Sequence, residues 1–277
     1  RLLVWDMDTR KVRRVCEGHV SGILAAWLHP SGARAVSGGF DGMIHHWGFE
    51  GAGTKAACLR SMAGHGGPVV SVQCSDERIF STSFDGTLRT WGWDGRQLGS
   101  IEAHDGHASG LALLGAEVAP GALPTVRTHA ATGGDDGRLN LWDLSTEQPV
   151  SSAPAHEGAI WTCVTSRGSA SGLLASADTS GSLKLWDLRI GFGAPAAHVV
   201  ERAHQEAIAG MQMDSSETQL LSCAFDSVIR IWDLRSGLVQ RAAMQAPPTT
   251  RCTRLAYNDT TIITGGLNGT VVVLDMI

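Results

Sequence analysis

The sequence predicts an all-β chain assembled from small repeated antiparallel units, and three observations carry that expectation. Near-identical strand endings recur at Trp5-Asp6, Trp47-Gly48, Trp91-Gly92, Trp142-Asp143, Trp186-Asp187, Trp232-Asp233 and Leu274-Asp275, spaced by 42, 44, 51, 44, 46 and 42 residues. A period in the forties marks an array of units each too small to fold alone. Apolar residues alternate just before each ending, and an Asp-Gly or Asn-Gly turn stands at a fixed distance upstream. Both belong to strands joined by tight hairpins.

The strand before each Trp position is written with a period of two. Ile44, Leu88, Leu139, Leu183, Ile229 and Val271 stand three residues back, and His46, Thr90, Leu141, Leu185, Ile231 and Val273 one back. The residue between is polar in most units: His45, Arg89, Asn140, Lys184 and Arg230. Such alternation gives a strand two distinct faces. The turn residues are Asp41, Asp85, Asp136, Ser180, Asp226 and Asn268, followed by glycine in all but the fifth of these turns, where Ser227 follows Asp226. Asp and Gly both accept the positive φ that a two-residue hairpin demands. Four residues before each turn stands a hydroxyl: Ser37, Ser81, Thr132, Ser176, Ser222 and Thr264. Gly18-His19, Gly64-His65, Gly106-His107, Ala155-His156 and Ala203-His204 open the units. In the third unit His104 competes with His107. The alignment of Gly110-Leu111-Ala112 with Gly22-Ile23-Leu24 favours His107.

These Gly-His openings, Asp-Gly turns and Trp-Asp endings resemble the WD-repeat family over essentially the whole chain. The resemblance implies a β-propeller of four-stranded blades around a central channel. Seven strand endings then imply seven blades in a single domain, 1–277, incomplete at the N-terminus. The last two strands of a truncated first blade fall in 1–17. Five complete blades occupy 18–63, 64–102, 103–154, 155–202 and 203–244, and 245–277 forms a final blade lacking its fourth strand. A six-bladed alternative pairs residues 11–17 with the final blade and leaves Leu2-Leu3-Val4-Trp5 as a spare strand. The resemblance also implies a buried hydrogen-bonded tetrad in each blade: His19, Ser37, Asp41, Trp47; His65, Ser81, Asp85, Trp91; His107, Thr132, Asp136, Trp142; and His204, Ser222, Asp226, Trp232. Ser180 stands where the fifth blade should carry Asp, and the last blade lacks both His and Trp, so these two blades are expected to be locally weaker.

Several function classes are disfavoured. The net charge of −5 provides no footprint for nucleic acid or an anionic membrane. No apolar run approaches the roughly 20 residues that span a bilayer. Cys16, Cys58, Cys74, Cys163, Cys223 and Cys252 lie far apart with no Cys-x-x-Cys pair, the usage of an intracellular protein of the cytoplasm or nucleus. The Ser-His-Asp trios carry the residue types of a hydrolase triad, but an enzyme needs one exposed nucleophile, and repeated copies each followed by Trp read as structural wiring. His45-His46 and His104-Asp105-Gly106-His107 lack the three or four convergent ligands of a metal site. Gly51-Ala52-Gly53-Thr54-Lys55 lacks the spacing of a phosphate loop. No catalytic residue, metal, cofactor or small-molecule substrate is expected.

Binding residues on a rigid scaffold concentrate in its loops. In WD-repeat proteins the Gly-His loop and the turn Asp share one rim, the top. The residues just before the turns there are Phe40, Phe84, Asp135, Thr179, Phe225 and Leu267. Five residues beyond the loop His stand Leu24, Val70, Ala112, Trp161 and Ala209. Phe40, Phe84, Trp161, Phe225, Leu24 and Val70, rimmed by Asp135 and Thr179, are the expected contacts for a peptide or protein partner, so the leading function is a non-enzymatic interaction scaffold. Trp186-Asp187-Leu188-Arg189 and Trp232-Asp233-Leu234-Arg235 resemble the box of substrate receptors of cullin–RING ubiquitin ligases, with Arg189 and Arg235 on the opposite rim. Residues 115–127 lengthen the third full unit and are expected to form an enlarged loop on that rim.

Overall fold

A computed structural model describes residues 1–51, 53–115, 127–165, 172–190, 194–247, 250–258 and 261–275. The chain divides into two compact units, Arg1–Leu111 and Ala112–Ile277.

In the first unit, β1 (Leu2–Asp6) and β2 (Lys11–Cys16) form a two-stranded hairpin. β3 (Ile23–Leu28), β4 (Arg34–Gly39), β5 (Ile44–Gly48) and β6 (Ala57–Met62) form a four-stranded sheet, as do β7 (Val69–Cys74), β8 (Arg78–Ser83), β9 (Thr87–Gly92) and β10 (Gln97–Glu102). The next sheet comprises β11 (Ala108–Gly115), β12 (Arg127–Gly134), β13 (Arg138–Asp143) and β14 (Gln148–Pro154). In the second unit follow β15 (Ile160–Thr165), β16 (Leu173–Asp178), β17 (Leu183–Asp187) and β18 (His198–Val200), then β19 (Ile208–Met213), β20 (Gln219–Ala224), β21 (Val228–Asp233) and β22 (Val239–Gln245). A three-stranded sheet, β23 (Cys252–Tyr257), β24 (Thr261–Gly266) and β25 (Val271–Asp275), completes the order.

Among the described residues six sheets have three or four strands, which matches the six-bladed alternative; the seven-bladed count holds only if the hairpin β1–β2 is taken as a blade. Leu2–Asp6 is no spare strand, because it pairs antiparallel with Lys11–Cys16. The predicted enlarged loop lies almost wholly outside the described residues, which stop at 115 and resume at 127.

Turn chemistry follows the sequence. Gly42, Gly86, Gly137, Gly181 and Gly269 take φ of 70°, 81°, 67°, 83° and 78°. The fifth turn asks the same of Ser227, at φ 62°, a conformation that is strained for a side-chain-bearing residue. A second regularity is a one-residue bulge near the start of the first strand of each sheet where that pairing is described: Leu24, Val70, Trp161, Ala209 and Thr253 are the extra residues. A bulge turns its residue away from the pleat and increases local twist.

The alternating faces close into separate apolar clusters. Val36, Ile44, Val69, Val72 and Ile79 surround Trp91, and Leu139, Ile160 and Leu174 surround Trp186. Trp47, Trp91, Trp142, Trp186 and Trp232 are buried, whereas Trp5 is 49% exposed. The last sheet is thinner. Leu274 replaces Trp, β25 has β24 as its sheet neighbour, and Val271 and Leu267 are 62% and 63% exposed. Local opening free energies follow buried contact density. Hydrogen exchange is therefore expected to be faster in β23–β25 than in β19–β21; equal protection of the two sheets would contradict this.

Candidate functional site

Each predicted constellation can now be placed. His19 Nε2 lies 2.8 Å from Ser37 Oγ, Trp47 Nε1 donates to the same oxygen at 2.9 Å, and His19 Nδ1 lies 2.9 Å from Asp41. His65, Ser81, Asp85 and Trp91 repeat this at 2.7, 2.9 and 2.9 Å, and His204, Ser222, Asp226 and Trp232 at 2.7, 2.9 and 3.0 Å. The carboxylate also anchors backbone. Asp41 accepts from the N–H groups of Val20 and Met43, and Asp226 from those of Gln205 and Val228. The four serines Ser37, Ser81, Ser176 and Ser222 are wholly buried, and each oxygen is engaged by an imidazole and an indole. None offers an exposed nucleophile.

Two expectations need correction. The fifth blade retains an acidic partner despite Ser180: Asp178, two residues earlier, lies 3.2 Å from His156 Nδ1, while His156 Nε2 and Trp186 Nε1 share Ser176 Oγ at 2.7 and 2.8 Å. Asp178 also accepts from Ser180 and from the Ser182 N–H. It comes from the end of β16 instead of from the turn, which is why alignment on the turn missed it. In the third full blade Trp142 donates to Thr132 at 2.8 Å, but backbone register assigns the loop position to His104 and not to His107. The His104 N–H donates to Gly86 O just as those of His156 and His204 donate to Gly137 O and Gly181 O. His104 precedes its first strand by the same four residues as His19, His65, His156 and His204, a signal present in the sequence. The ring of His107 instead stacks on Phe84 at 3.9 Å. The position five beyond the loop His is accordingly Ser109, buried, and not Ala112.

Burial alone would raise the acids, but donated hydrogen bonds outweigh it. For Asp85 the donors are Thr87, the Gly66 N–H and His65, and its pKa is held at about 2 against an ordinary 3.8. For Asp178 they are His156, Ser180 and the Ser182 N–H, again giving about 2. Burial lowers His65, against the pull of Asp85.

The rim residues differ in exposure. In the first unit Phe40 is 54% exposed and Val20, in the neighbouring loop, 91%. Phe84 is 37% exposed, Leu24 is half-buried, and Val70 is buried, so Val70 offers no surface. In the second unit Asp135 is exposed, and Trp161 meets Phe225 edge to face at 5.5 Å. The Arg251 guanidinium lies 5.4 Å from the Phe225 ring centre and bonds Glu206 at 3.1 Å. Arg189 is exposed, but its fork closes on its own Asp187 at 2.8 and 2.6 Å. Arg235 is exposed beside Asp233, which Arg241 also contacts.

The profile described as WD domain, G-beta repeat matches residues 10–48, 56–92, 147–187 and 198–233, more than half of the chain. The chain belongs to the WD-repeat family, and its fold is an all-β propeller of the kind that serves as a protein-interaction scaffold. Apoptotic protease-activating factor 1 of Mus musculus is 23% identical over 238 residues, covering 86% of this chain; the chain spans 17% of that relative's length. The crystal structure of the computationally designed Ika8 protein is 26% identical with a TM-score of 0.73, over 99% of this chain and 77% of that one. The WD40 β-propeller domain of Doa1 is similar in fold, with a TM-score of 0.76 at 18% identity, over 95% of this chain and 80% of that one. No helix among the described residues is long and apolar enough to cross a membrane.

Two measurements test the wiring. Ser81→Ala leaves the indole of Trp91 and the imidazole of His65 without their shared partner. It should cost about 2–5 kcal/mol in denaturant unfolding, since each buried unsatisfied group costs about 1–3 kcal/mol; Ser100→Ala is the control. Because Asp85 and Asp178 have folded pKa values of about 2 against 3.8, their contribution is present above 3.8 and lost as pH falls through about 2. The melting temperature should drop across that window, and Asp178→Asn should lower stability at neutral pH while flattening the acid limb.

Proposed function

We propose that this chain is a scaffold without catalytic chemistry that takes a peptide or protein partner on the rim formed by the turns and the Gly-His loops. The observation that carries the reading is Phe40, a large aromatic side chain left 54% exposed beside an almost fully exposed Val20. Exposed aromatic and aliphatic groups on a rigid loop are the anchors that dominate association energies. In the second unit Trp161 and Phe225 form a comparable aromatic pair, with Arg251 adding a cation beside it. Burial of every tetrad serine supports the absence of hydrolytic chemistry. The net charge of −5 supports proteins over nucleic acid or membrane as partners, and six free cysteines support an intracellular site, in cytoplasm or nucleus. The ligase-receptor role through Arg189 and Arg235 is the less favoured reading, because the Arg189 fork is already satisfied by Asp187.

The test is quantitative affinity capture with the wild-type chain, a Val20→Ser/Phe40→Ser variant and a Trp161→Ala variant. Loss of anchors of about 2 kcal/mol lowers recovery of the true partner roughly thirtyfold, while Val20→Ser/Phe40→Ser, at exposed positions, keeps its melting temperature. Unchanged recovery with both variants would overturn the reading.

A further inference from the structure

His45-His46 has no convergent ligands nearby in the sequence; the fold supplies them from elsewhere. His19, Asp41 and His45 bring ligand atoms within 4.8 Å of one another. The His19 and Asp41 side chains are 1% and 5% exposed and His45 is 5% exposed. The two imidazoles meet edge to face at 4.2 Å.

The other blades explain why this cluster differs from them. The position two before Trp47 is held by Arg89 in the next blade, and the Arg89 guanidinium lies 3.7 Å from the tetrad carboxylate of Asp85. Lys184 and Arg230 occupy it further along the chain. The second blade alone puts an imidazole at this position, where the four following blades put a cation or an amide and the first and last units put Leu3 and Val272. Burial and the neighbouring His19 ring disfavour the charged form of His45, and Asp41 opposes both.

We propose that His19, Asp41 and His45 form a binding site for one divalent transition-metal ion, zinc above all, which supplies the positive charge that Arg89 supplies in the following blade. Two imidazoles and a carboxylate are a ligand set that zinc accepts. Tetrahedral bonds of about 2.0–2.2 Å put donors roughly 3.3–3.5 Å apart, so donor atoms that lie within 4.8 Å of one another draw together by up to about 1.5 Å as the ion binds. The ion takes the place of the Nδ1 proton between His19 and Asp41. That proton moves to Nε2 and is donated to Ser37 Oγ, which accepts from His19 and Trp47 through its two lone pairs; the imidazole stays neutral and no net proton is released. The outer shell is already built, since Val20 and Met43 N–H groups orient the carboxylate and Ser61 Oγ holds His45 Nδ1 at 2.9 Å. Space is also provided. A Cβ at Gly39 would stand 2.8 Å from His19 Nδ1 and from Asp41 Oδ1; Ser83, Asp178 and Ala224 hold the corresponding position in three other blades, and Gly134 and Gly266 in the remaining two.

The experiment combines zinc stoichiometry by equilibrium dialysis with thermal melts of the chain, with and without chelator, for the wild type, His45→Arg and Cys58→Ser. His45→Arg installs the side chain that Arg89 and Arg230 place at this position, so it keeps the fold. The expected result is one zinc per wild-type chain, a melting temperature raised by about 5 °C at 100-fold excess over Kd and reversed by chelator, and loss of both effects in His45→Arg at an unchanged metal-free melting temperature. Absence of the wild-type shift, or an equal shift in His45→Arg, overturns the proposal. Cobalt substitution provides the remaining control, because Cys58 Sγ lies 3.5 Å from His45 Nδ1. A thiolate-to-cobalt charge-transfer band that disappears in Cys58→Ser would assign the ion to a Cys58–His45 pair and overturn the ligand set proposed.

Discussion

The loop histidine is the joint on which the blades of His19, His65, His156 and His204 depend. Its backbone belongs to the turn of one blade, as when the N–H groups of His156 and His204 donate to Gly137 O and Gly181 O. Its side chain belongs to the next blade, where Nε2 meets a buried serine and Nδ1 a carboxylate. A small four-stranded sheet cannot bury its own faces, and a bond that spans two sheets fixes how they stack. Each hydrogen bond contributes a net of about 1 kcal/mol, but removing one member strands the others in a dry interior. That asymmetry makes the network costly to break and keeps the indoles of Trp47, Trp91, Trp186 and Trp232 in register.

The fifth blade illustrates how such a constraint tolerates sequence drift. The carboxylate must reach Nδ1 and anchor the following turn; which residue provides it is secondary. Asp178 does so from the strand end, and Ser180 becomes a donor to it. The final sheet, with Thr264 bonded to the Arg254 carbonyl and Leu274 at the Trp position, packs Cys252, Ile262, Leu255, Tyr257 and Leu274 against the preceding sheet.

Function on such a scaffold falls to whatever the wiring leaves over. The trios that carry hydrolase residue types are consumed inside the sheets, while Phe40, Val20, Trp161 and Phe225 sit on loops and bulges that the repeats hold rigid. The bulge matters here: Leu24, Val70 and Trp161 occupy the same bulge position, yet Val70 is buried and Trp161 stands beside Phe225. A shared backbone device thus re-aims side chains, and their size decides whether they pack or protrude.

The sequence by itself determined the unit, because period-two alternation, Asp-Gly turns and the Trp endings are local consequences of strand geometry and left-handed turn conformations. The hydroxyl, turn Asp and Trp recur at fixed offsets, and the resemblance to WD repeats implied their tetrads with His19, His65 and His204. Only the tertiary structure decided matters that depend on which atoms meet across sheets. It put His104 in place of His107, drew Asp178 to His156, set five four-stranded sheets and one three-stranded sheet among the described residues, and paired Leu2–Asp6 with Lys11–Cys16. It also brought His45 to His19 and Asp41 from 26 and four residues away in the chain. Pattern fixes which face a residue joins; proximity between faces is set by how the sheets stack, and no spacing along one strand contains it.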